Sequence, residues 1–374
     1  MPERRSPSKG NPCIVLGTRP EIIKMAPLIH EFNRRKIPID IVHTGQHYSY
    51  NMSQIFLKEL GIRNKIEHLE VGSGSHGDVT ARALVGLERF FLKHRPSVVL
   101  VEGDTNTVLA GGLAAAKMAI PVGHVEAGLR SYDRRMPEEH NRRLVDHLSD
   151  LLFAPTELNR KTLMAENIQG KVFVTGNTVI DACLMNMPIA EKKSRVTKKL
   201  GLIKDAFALA TIHRQENVDN KNVLRSFIKA FSGGPFPVLL PLHPRTLKMA
   251  GKFGLKKILL NDPNITVVEP VGYFDFLMLM KASRFIMTDS GGIQEEATAP
   301  NLRKKVFVLR TSTERPEAVK AGYAEIVGVS QSKILKAVQR YLEGKGPKCH
   351  GSPYGKGDSR IRTVDILKRC GMTG

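Results

Sequence analysis

The stretch SVVLVEGDTNTVLAGGLAAAKMAIPVGHVE, residues 97–126, predicts a complete strand–helix–strand unit. Its two ends, 97–104 and 120–126, are apolar runs with several valines, a composition typical of buried strands. The segment between them, Thr105–Met118, is rich in small residues and is predicted to form the connecting helix. Buried strands joined by a helical crossover are typical of a parallel sheet that is covered on both faces.

The same alternation of apolar runs and helical stretches continues on both sides of this unit. A charged segment, Pro188–Lys204, interrupts it once. The pattern predicts an α/β protein with two Rossmann-like, doubly wound domains that face each other across a cleft. The other predicted strands are residues 13–17, 39–45, 151–155, 171–176, 207–213, 237–243, 265–270, 284–290 and 305–311.

The interruption and the C-terminal composition suggest the domain limits. We expect residues 1–185 to form the first domain and residues 186–355 the second. Residues 343–357 are predicted to be a loop, and a last helix within 356–374 is expected to pack back on the first domain. In open α/β sheets ligands bind at the carboxyl ends of the strands, so the cleft is the expected ligand site.

Composition limits the class of protein. Of 374 residues, 41% are hydrophobic and 25% charged, which excludes a disordered chain. The 4 cysteines are far apart with no CxxC pair, which argues against a zinc ribbon and favours a reduced compartment. The basic N-terminus lacks the apolar stretch of a signal peptide, and the least charged stretch, Thr105–Val122, contains Lys117. We therefore expect a soluble cytoplasmic protein.

The chain is strongly basic, with 57 Lys and Arg against 36 Asp and Glu, a formal charge of +21. Such a charge is compatible with nucleic acid, an acidic membrane surface or anionic small molecules as partners. The absence of tryptophan and an aromatic content of 6% provide few groups for stacking on single strands. The basic residues gather at 191–204, 303–305 and 345–369, so we expect mostly solvated surface with a minority directed at an anionic substrate.

In the first half, the motif GTRPEIIK (17–24) follows the first strand and opens a helix at Pro20. Arg19 then projects from the turn, and Lys24 lies one helical turn beyond Pro20. Both side chains suit a phosphate near a helix N-terminus. Ordinary capping and surface charge would explain them equally well.

Carboxylates follow the predicted strands of the first half. Asp104 in EGDTNT stands before a helix, where it could also be an N-cap. Glu126 in HVEAGLR ends a strongly apolar strand, where an unpaired carboxylate is costly. Glu138 and Glu139 in MPEEHNRR, with Arg142, begin a helix and could simply complement its macrodipole. Several carboxylates at such positions nevertheless predict acid/base chemistry.

The second half has basic residues at the corresponding strand ends. TIHRQEN contains His213 and Arg214, and PLHPRT contains His243 and Arg245. A single histidine is more often structural than functional. Two histidines at equivalent strand ends make the functional and the structural interpretations about equal.

The motif TDSGGIQEEA is the most informative local pattern. Gly291 and Gly292 occupy the first turn of a predicted helix, at a cost of about 1 kcal/mol each relative to alanine. They would let a diphosphate approach bare N–H groups, with Ser290 as cap and donor. Glu296 could reach ribose hydroxyls, and Arg315 in TERPE could approach the same phosphates. The alternative is a tight strand–helix turn without a ligand.

Together these motifs resemble the non-hydrolysing UDP-N-acetylglucosamine 2-epimerases. Their residues are more similar to the archaeal than to the bacterial branch of that family. The similarity extends from about residue 13 to the C-terminus, where SPYGKGDSRI matches. It implies two domains of the glycosyltransferase-B type, a homodimer and the interconversion of UDP-GlcNAc and UDP-ManNAc, a precursor of cell-surface polysaccharides. The motifs that carry it are GTRPEIIK, TGQHY, EGDTNT, HVEAGLRS, PEEHNR, TGNTVID, HRQENVD, HPRT, TDSGGIQEEA and TERPEAV.

The resemblance also implies a mechanism and a set of site residues. The family eliminates UDP to give 2-acetamidoglucal and adds UDP back with the proton on the other face, without a cofactor or a metal. Asp104, Glu126 and Glu138 would be the acid/base groups, and His213 would serve the leaving group. The implied contacts to the UDP-sugar are Arg19, Lys24, Asp104, Glu126, His213, Val271, Phe276, Ser290, Gly291, Gly292, Glu296 and Arg315.

Some positions depart from the family pattern. Bacterial relatives usually continue GQH with Arg and acidic residues, whereas this chain has GQHYSYNM. That region borders the family's second UDP-GlcNAc site, so activation by substrate remains open. Val271 replaces a frequent Gln, which leaves a backbone contact at that position. The candidate residues for the second site are Gln46, His47, Glu138, Arg214 and His243.

Three other functions remain compatible with the motifs. A hydrolysing epimerase would release UDP and free N-acetylmannosamine from the same substrate. A glycosyltransferase of the same fold would need an acceptor pocket that the sequence does not reveal. A nucleic-acid-binding protein would explain the charge alone. The products formed from UDP-GlcNAc alone distinguish the two epimerases from each other and from the rest.

Overall fold

The computed structural model describes residues 10–45 and 56–373. The chain divides into two compact units. The first contains the residues up to Ala182 together with those from Tyr354 onward, and the second is Cys183–Pro353. Among the described residues, no helix combines the length and the apolar character needed to cross a bilayer.

The first unit contains a 7-stranded parallel sheet in the order β3-β2-β1-β4-β5-β6-β7. The four residues of each strand β1, β4, β5 and β6 are all buried, as expected for strands covered by helices on both faces. Its strands are β1 Cys13–Leu16, β2 Asp40–His43, β3 Ile66–His68, β4 Val99–Glu102, β5 Val122–Val125, β6 Leu151–Ala154 and β7 Lys171–Val174.

Helices follow most of these strands, and the last helix of the chain returns to this unit. Arg35, just beyond the first helix, pairs with Asp365 of the last one, Nη1 to Oδ1 at 2.5 Å. Arg360 Nη1 lies 2.8 Å from Asp181 Oδ1. The helices are α1 Arg19–Arg34, α2 His76–His94, α3 Asn106–Lys117, α4 Pro137–Leu148, α5 Glu157–Ala165, α6 Thr178–Lys193, which contains the division between the units, and, at the end of the chain, Ser359–Arg369.

The second unit has a 6-stranded parallel sheet in the order β10-β9-β8-β11-β12-β13. Its strands are β8 Ala208–Thr211, β9 Val238–Pro241, β10 Ile265–Val268, β11 Phe285–Thr288, β12 Val306–Val308 and β13 Ala324–Ile326. Its further helices are α7 Val196–Lys199, α8 Gln215–Val218, α9 Lys221–Ser232, α10 Pro244–Lys252, α11 Lys256–Asn261, α12 Tyr273–Ala282, α13 Gly291–Glu296, α14 Pro316–Lys320 and α15 Gln331–Leu342; the C-terminal helix Ser359–Arg369 is α16.

Small residues allow α3 to lie close to the first sheet. A Cβ atom on Gly111 would stand 3.0 Å from Val101 Cγ1 and 3.4 Å from Val15 Cγ1. A larger residue at Gly111 would push the helix away from the two central strands. The small-residue composition of this helix is therefore a packing requirement rather than a sign of a membrane segment.

The predicted fold class is confirmed: both units are α/β with parallel, doubly wound sheets. Two strands were not predicted, β3 and β13, and each has three residues at the edge of its sheet. The segment Pro188–Lys204 contains the end of α6 and the short helix α7, with no strand between them. An edge strand pairs with only one other strand, so it is less covered than a central strand and needs fewer apolar residues.

Each sheet has one topological switch point, where the strand order reverses. In the first unit it lies between β1 and β4, and in the second between β8 and β11. Open α/β sheets bind ligands outside the carboxyl ends of the strands at such points. The turns after these four strands are Gly17–Arg19, Gly103–Asp104, Ile212–His213 and Asp289–Ser290. They contain the predicted site residues Arg19, Asp104, His213 and Ser290.

Candidate active site

A buried carboxyl group joins the two turns at the first switch point. Glu21 Oε2 accepts a hydrogen bond from the Gly17 amide at 2.7 Å, and its Oε1 accepts one from Thr18 Oγ1 at 2.9 Å. Burial raises the pKa of Glu21 to about 7, against the lowering effect of hydrogen bonds from Thr105, Thr18 and Gly17. Glu21 therefore links the turn after β1 to Thr105, which follows the turn after β4.

Three buried ionisable groups meet beside these turns. Lys24 Nζ lies 2.9 Å from Glu102 Oε1 and also pairs with the Glu126 carboxylate. Burial raises the pKa of Glu102 well above its usual range; Lys24 opposes this effect, and the neighbouring Glu126 adds to it. The raised pKa of Glu102 favours its protonated form, so this group of two carboxyl groups and one ammonium can hold a proton for acid/base catalysis.

Glu126 has a backbone conformation that is unusual for its residue type. Its φ angle is +70°, in the left-handed region that non-glycine residues rarely adopt. Such strain costs about 1–3 kcal/mol and is concentrated at functional sites. The Glu126 carboxylate was expected to be costly because it was thought unpaired, but Lys24 pairs with it.

The other two predicted acid/base groups lie on or against α4. The Asp104 carboxylate pairs with Arg142, whose Nη1 also lies 3.0 Å from Glu139 Oε2. Asn141 Nδ2 donates to the Asp104 carbonyl oxygen at 2.9 Å. The Glu138 side chain is half-buried in the first turn of α4, and its carboxylate has no hydrogen bond or ion pair with another described residue. The structure therefore fixes Asp104 firmly and leaves the Glu138 carboxylate available.

Arg19 stands at the start of α1, directly after the turn that Glu21 holds. Its guanidinium carbon is 4.7 Å from the centroid of the Phe56 ring, a cation–π distance. The residue is partly exposed. Its position at a helix N-terminus beside a strand end suits an anionic group.

In the second unit, a fully buried aspartate organises the turn after β8. Asp289 Oδ2 accepts hydrogen bonds from the backbone amides of His213 at 3.1 Å and Arg214 at 3.0 Å, and from Asn217 Nδ2 at 3.1 Å. Its Oδ1 lies 3.2 Å from His213 Nδ1. Asp289 thus orients the His213 ring, whose side chain is 41% exposed and can reach a ligand.

The two glycines after Ser290 form the first turn of α13, as predicted. Ser290 occupies the N-cap position, but its hydroxyl makes no capping hydrogen bond. A Cβ atom on Gly291 would stand 3.5 Å from Arg315 Cζ and 3.8 Å from Arg214 Nη2, whereas one on Gly292 would meet nothing within 4 Å. Bare amide groups and two guanidinium groups therefore surround this turn, an arrangement that favours an anion.

The cations around this turn are held by buried acids. Arg315 Nε lies 2.6 Å from Glu295 Oε1. Arg214 Nη2 lies 3.3 Å from Oε1 of the buried Glu314, and Arg214 Nε donates to the Asp289 backbone carbonyl oxygen at 3.0 Å. Carboxylates behind a guanidinium fix its orientation without covering its outer face.

His243 lies next to His213, with 5.7 Å between the ring centroids. Burial lowers the pKa of His243, and His213 lowers it further. Arg214 and His243, two candidates for a second substrate site, are thus neighbours of His213 in the second unit. Glu138, a third candidate for that site, lies in the first unit. Gln46 and His47 lie outside the described residues.

The predicted nucleoside contacts lie in or near α12 and α13. Glu296 is buried and hydrogen-bonded to Tyr273, the first residue of α12. Burial raises the pKa of that phenol well above its usual range. Phe276 is partly exposed one turn further along α12, and Val271 precedes the Gly272 N-cap.

Sequence reasoning assigned no role to the buried partners of the site. Glu102 and Asp289 stand inside the motifs EGDTNT and TDSGGIQEEA, next to or near residues that were predicted. Arg142 was noted at the start of its helix but not as the partner of Asp104. Within residues 10–45 and 56–373, the His, Cys, Asp and Glu side chains form no group of three or more that could hold a metal ion.

These features define an α/β protein of the glycosyltransferase-B type, with polar residues gathered after the strands at both switch points. The family model described as UDP-N-acetylglucosamine 2-epimerase matches residues 30–368. The chain belongs to the UDP-N-acetylglucosamine 2-epimerase family.

Relatives match along almost the whole chain. The UDP-N-acetylglucosamine 2-epimerase of Methanocaldococcus jannaschii is 46% identical over 95% of this chain and 98% of its own length. The crystal structure of that organism's UDP-GlcNAc 2-epimerase in complex with UDP-GlcNAc and UDP matches with a TM-score of 0.89, covering 96% of this chain and 99% of its own. A UDP-2,3-diacetamido-2,3-dideoxy-D-glucuronate 2-epimerase of Pseudomonas aeruginosa is 38% identical over 95% and 98% of the two chains.

Proposed function

We propose that this protein interconverts UDP-GlcNAc and UDP-ManNAc by inverting C2 of the sugar. The observation that carries the proposal is the full-length similarity to an enzyme whose structure holds UDP-GlcNAc and UDP. The buried group of Lys24, Glu102 and Glu126 at the first switch point supplies acid/base chemistry. The Gly291–Gly292 turn at the second supplies a place for a diphosphate.

The chemistry of the reaction explains why acid/base groups and groups that bind the diphosphate are both needed. The C2 proton is not acidic, because no carbonyl group is adjacent to C2 in the ring. We propose that a base removes this proton while the bond between C1 and the diphosphate oxygen breaks, and the C2–H electron pair becomes the C1=C2 double bond of 2-acetamidoglucal. UDP then adds back at C1, and an acid delivers a proton to the other face of C2.

Inversion requires a base on one face of the sugar and an acid on the other. We assign these roles among Asp104, Glu126 and Glu138. Glu126 shares Lys24 with Glu102, whose raised pKa keeps a proton within this group. Asp104 is held by Arg142, which fixes the direction of its carboxylate.

The leaving diphosphate needs positive charge that strengthens as the C1–O bond breaks. His213, oriented by Asp289, is the proposed donor to it. Arg315 and the N–H groups after Ser290 would hold the remaining phosphate oxygens. Arg19, at the N-terminus of α1, is a further proposed contact to the diphosphate.

For the rest of the substrate we propose the following contacts. Glu296 would bind the ribose hydroxyls, and Phe276 with the Val271 backbone would frame the uracil. Lys24 would contact the sugar end, because its ammonium already lies against Glu102 and Glu126. We further propose that the first unit supplies the acid/base groups and the second the UDP contacts, in a cytoplasmic homodimer. A second UDP-GlcNAc site would use Gln46, His47, Glu138, Arg214 and His243.

The decisive experiment is incubation of the purified protein with UDP-GlcNAc alone, followed by NMR in deuterated water. UDP-ManNAc with solvent deuterium at C2 is the expected product. Free UDP with N-acetylmannosamine would indicate the hydrolysing reaction instead. Retention of the original proton at C2 would exclude the elimination route. UDP-2,3-diacetamido-2,3-dideoxy-D-glucuronate, the substrate named for the Pseudomonas relative, should react much more slowly if UDP-GlcNAc is the substrate.

A further inference from the structure

A fully buried histidine lies between the first sheet and α4. His124 of β5 has no exposed surface, and both of its ring nitrogens are hydrogen-bonded. Nδ1 is 2.7 Å from Asp146 Oδ1, and Nε2 is 2.8 Å from the Gly103 carbonyl oxygen. A carbonyl oxygen and an ionised carboxylate only accept, so both nitrogens must donate. The two contacts can therefore both be hydrogen bonds only when both ring nitrogens carry a proton.

The charge on this histidine is balanced within the protein. Asp146 Oδ2 accepts from Arg130 Nη1 at 2.7 Å and from the Gly128 amide at 3.2 Å. Burial raises the pKa of Asp146, but His124 and Arg130 outweigh it and hold that pKa below its usual range. Arg130 in turn forms a two-point contact with Glu166, at 3.0 and 2.7 Å. Glu166, at the partly exposed end of this network, also lies 3.5 Å from Arg143 Nη2.

The histidine acts on one residue of the turn after β4. Gly103, whose φ is +85°, donates its N–H to the Val125 carbonyl oxygen at 3.2 Å and accepts from His124 at its own carbonyl. Both backbone polar groups of Gly103 are therefore fixed by β5. Gly103 stands between Glu102 and Asp104, so its orientation sets the direction of both carboxyl groups.

Helix α4 holds the same turn from a second direction. Arg142, one helical turn before Asp146, pairs with the Asp104 carboxylate. Asn141 donates to the Asp104 carbonyl oxygen. The Asp146–His124 pair reaches the same turn at the Gly103 carbonyl oxygen. Helix α4 therefore supports three groups of the turn: the Gly103 carbonyl, the Asp104 carbonyl and the Asp104 carboxylate.

We propose that His124 is a positioning residue for this active site: as an imidazolium it fixes the Gly103 carbonyl and thereby the relative orientation of the Glu102 and Asp104 carboxyl groups. The inference rests on the proposed epimerisation at C2, which depends on that orientation. His124 does not touch the substrate, because it is fully enclosed. A neutral imidazole would turn a lone pair toward either the carboxylate or the carbonyl and lose one of the two contacts.

Two substitutions separate the two contacts. His124→Gln places an amide N–H near the position of Nε2, toward Gly103, whereas His124→Asn places one near Nδ1, toward Asp146. We expect His124→Asn to lower kcat about 100-fold with KM changed less than about threefold, and His124→Gln to retain kcat within about tenfold. The affinity for UDP should be unchanged in both variants, since the proposed UDP contacts lie in the second unit.

Glu166→Gln is the matched control, because it alters the far end of the network without touching Gly103. Its kcat should stay near that of the wild type. Equal losses of kcat in both His124 variants, or no loss in His124→Asn, would overturn the positioning role. Wild-type protein that fails to epimerise UDP-GlcNAc would overturn the proposed function, and this role with it.

A measurement on the unaltered protein covers the case in which a variant does not fold. In full-length protein labelled with ¹⁵N-histidine, the ring nitrogens of His124 should both carry protons, with exchange slowed by burial. The same signals should persist in Glu166→Gln. A single protonated nitrogen at His124 would contradict the imidazolium and the proposal that depends on it.

Discussion

Asp289 and His213 are 76 residues apart in sequence, yet the buried aspartate binds both the backbone amide and the ring of the histidine. Asp289→Asn keeps the size of the side chain but removes the charge that accepts these contacts. We expect turnover to fall at least about tenfold, because His213 loses its orientation. Kinetics should be compared with Asp219→Asn, which alters an aspartate paired with Arg245 in a neighbouring turn. Equal effects of the two changes would contradict a specific role.

Removal of the acid/base charges should abolish most turnover. Asp104→Asn, Glu126→Gln and Glu138→Gln should each lower kcat at least about a hundredfold, the usual scale of acid/base contributions. The shapes are conserved, so folding should be retained and visible by circular dichroism. Glu157→Gln, an exposed carboxylate on α5, is the control. Near wild-type rates in all three variants would show that other groups transfer the proton.

Affinity for UDP should depend on the second unit. Ser290→Ala and Glu296→Ala each remove a hydrogen bond to a charged or polyol ligand, at a cost of about 1.5–3 kcal/mol. Titration calorimetry with UDP measures this loss directly, and Ser332→Ala, at an exposed position of α15, should leave affinity unchanged. Unchanged affinity in both site variants would place the nucleotide elsewhere.

The buried Glu21 should make stability depend on pH. Its pKa of about 7 in the folded chain exceeds the ordinary value of 4.5, so its protonated form is favoured by folding. That stabilisation is complete below pH 4.5 and is lost as pH rises through about 7, by at most about 3 kcal/mol. Glu21→Gln removes the titration. Between about pH 5 and pH 8, the Tm of the wild type should therefore fall relative to the Tm of Glu21→Gln. Curves of Tm against pH that run parallel for the two proteins would refute this.

The basic surface should matter little for the reaction. Neutralising Lys192, Lys193, Lys198 and Lys199 together should leave epimerisation within about twofold, because surface charges beyond a Debye length of about 8 Å at 0.15 M salt are screened. Duplex DNA binding should be weak and lost near that salt concentration. Sequence-selective DNA binding that persists there would show that the charge has another purpose.

Local patterns were sufficient for the architecture and for most of the strand-end residues. Apolar runs identify buried parallel strands because both faces of such a sheet are covered, and the turn after each strand is then the place for polar groups. The motif TDSGGIQEEA even located the first turn of α13 to the residue. The edge strands β3 and β13 escaped because three residues with partial burial leave no periodic pattern.

Only the tertiary structure decided which charges are paired. Glu126 looked like an isolated carboxylate, and Lys24, 102 residues away, neutralises it. Glu102, Asp289 and His124 stood unnoticed inside quoted motifs, because burial and partners distinguish them and neither is visible in a single sequence. Sequence periodicity determines which residues face the core, since it reports local geometry. Ion pairing and pKa depend on groups brought together by the chain crossovers, and those distances exist only in the folded protein.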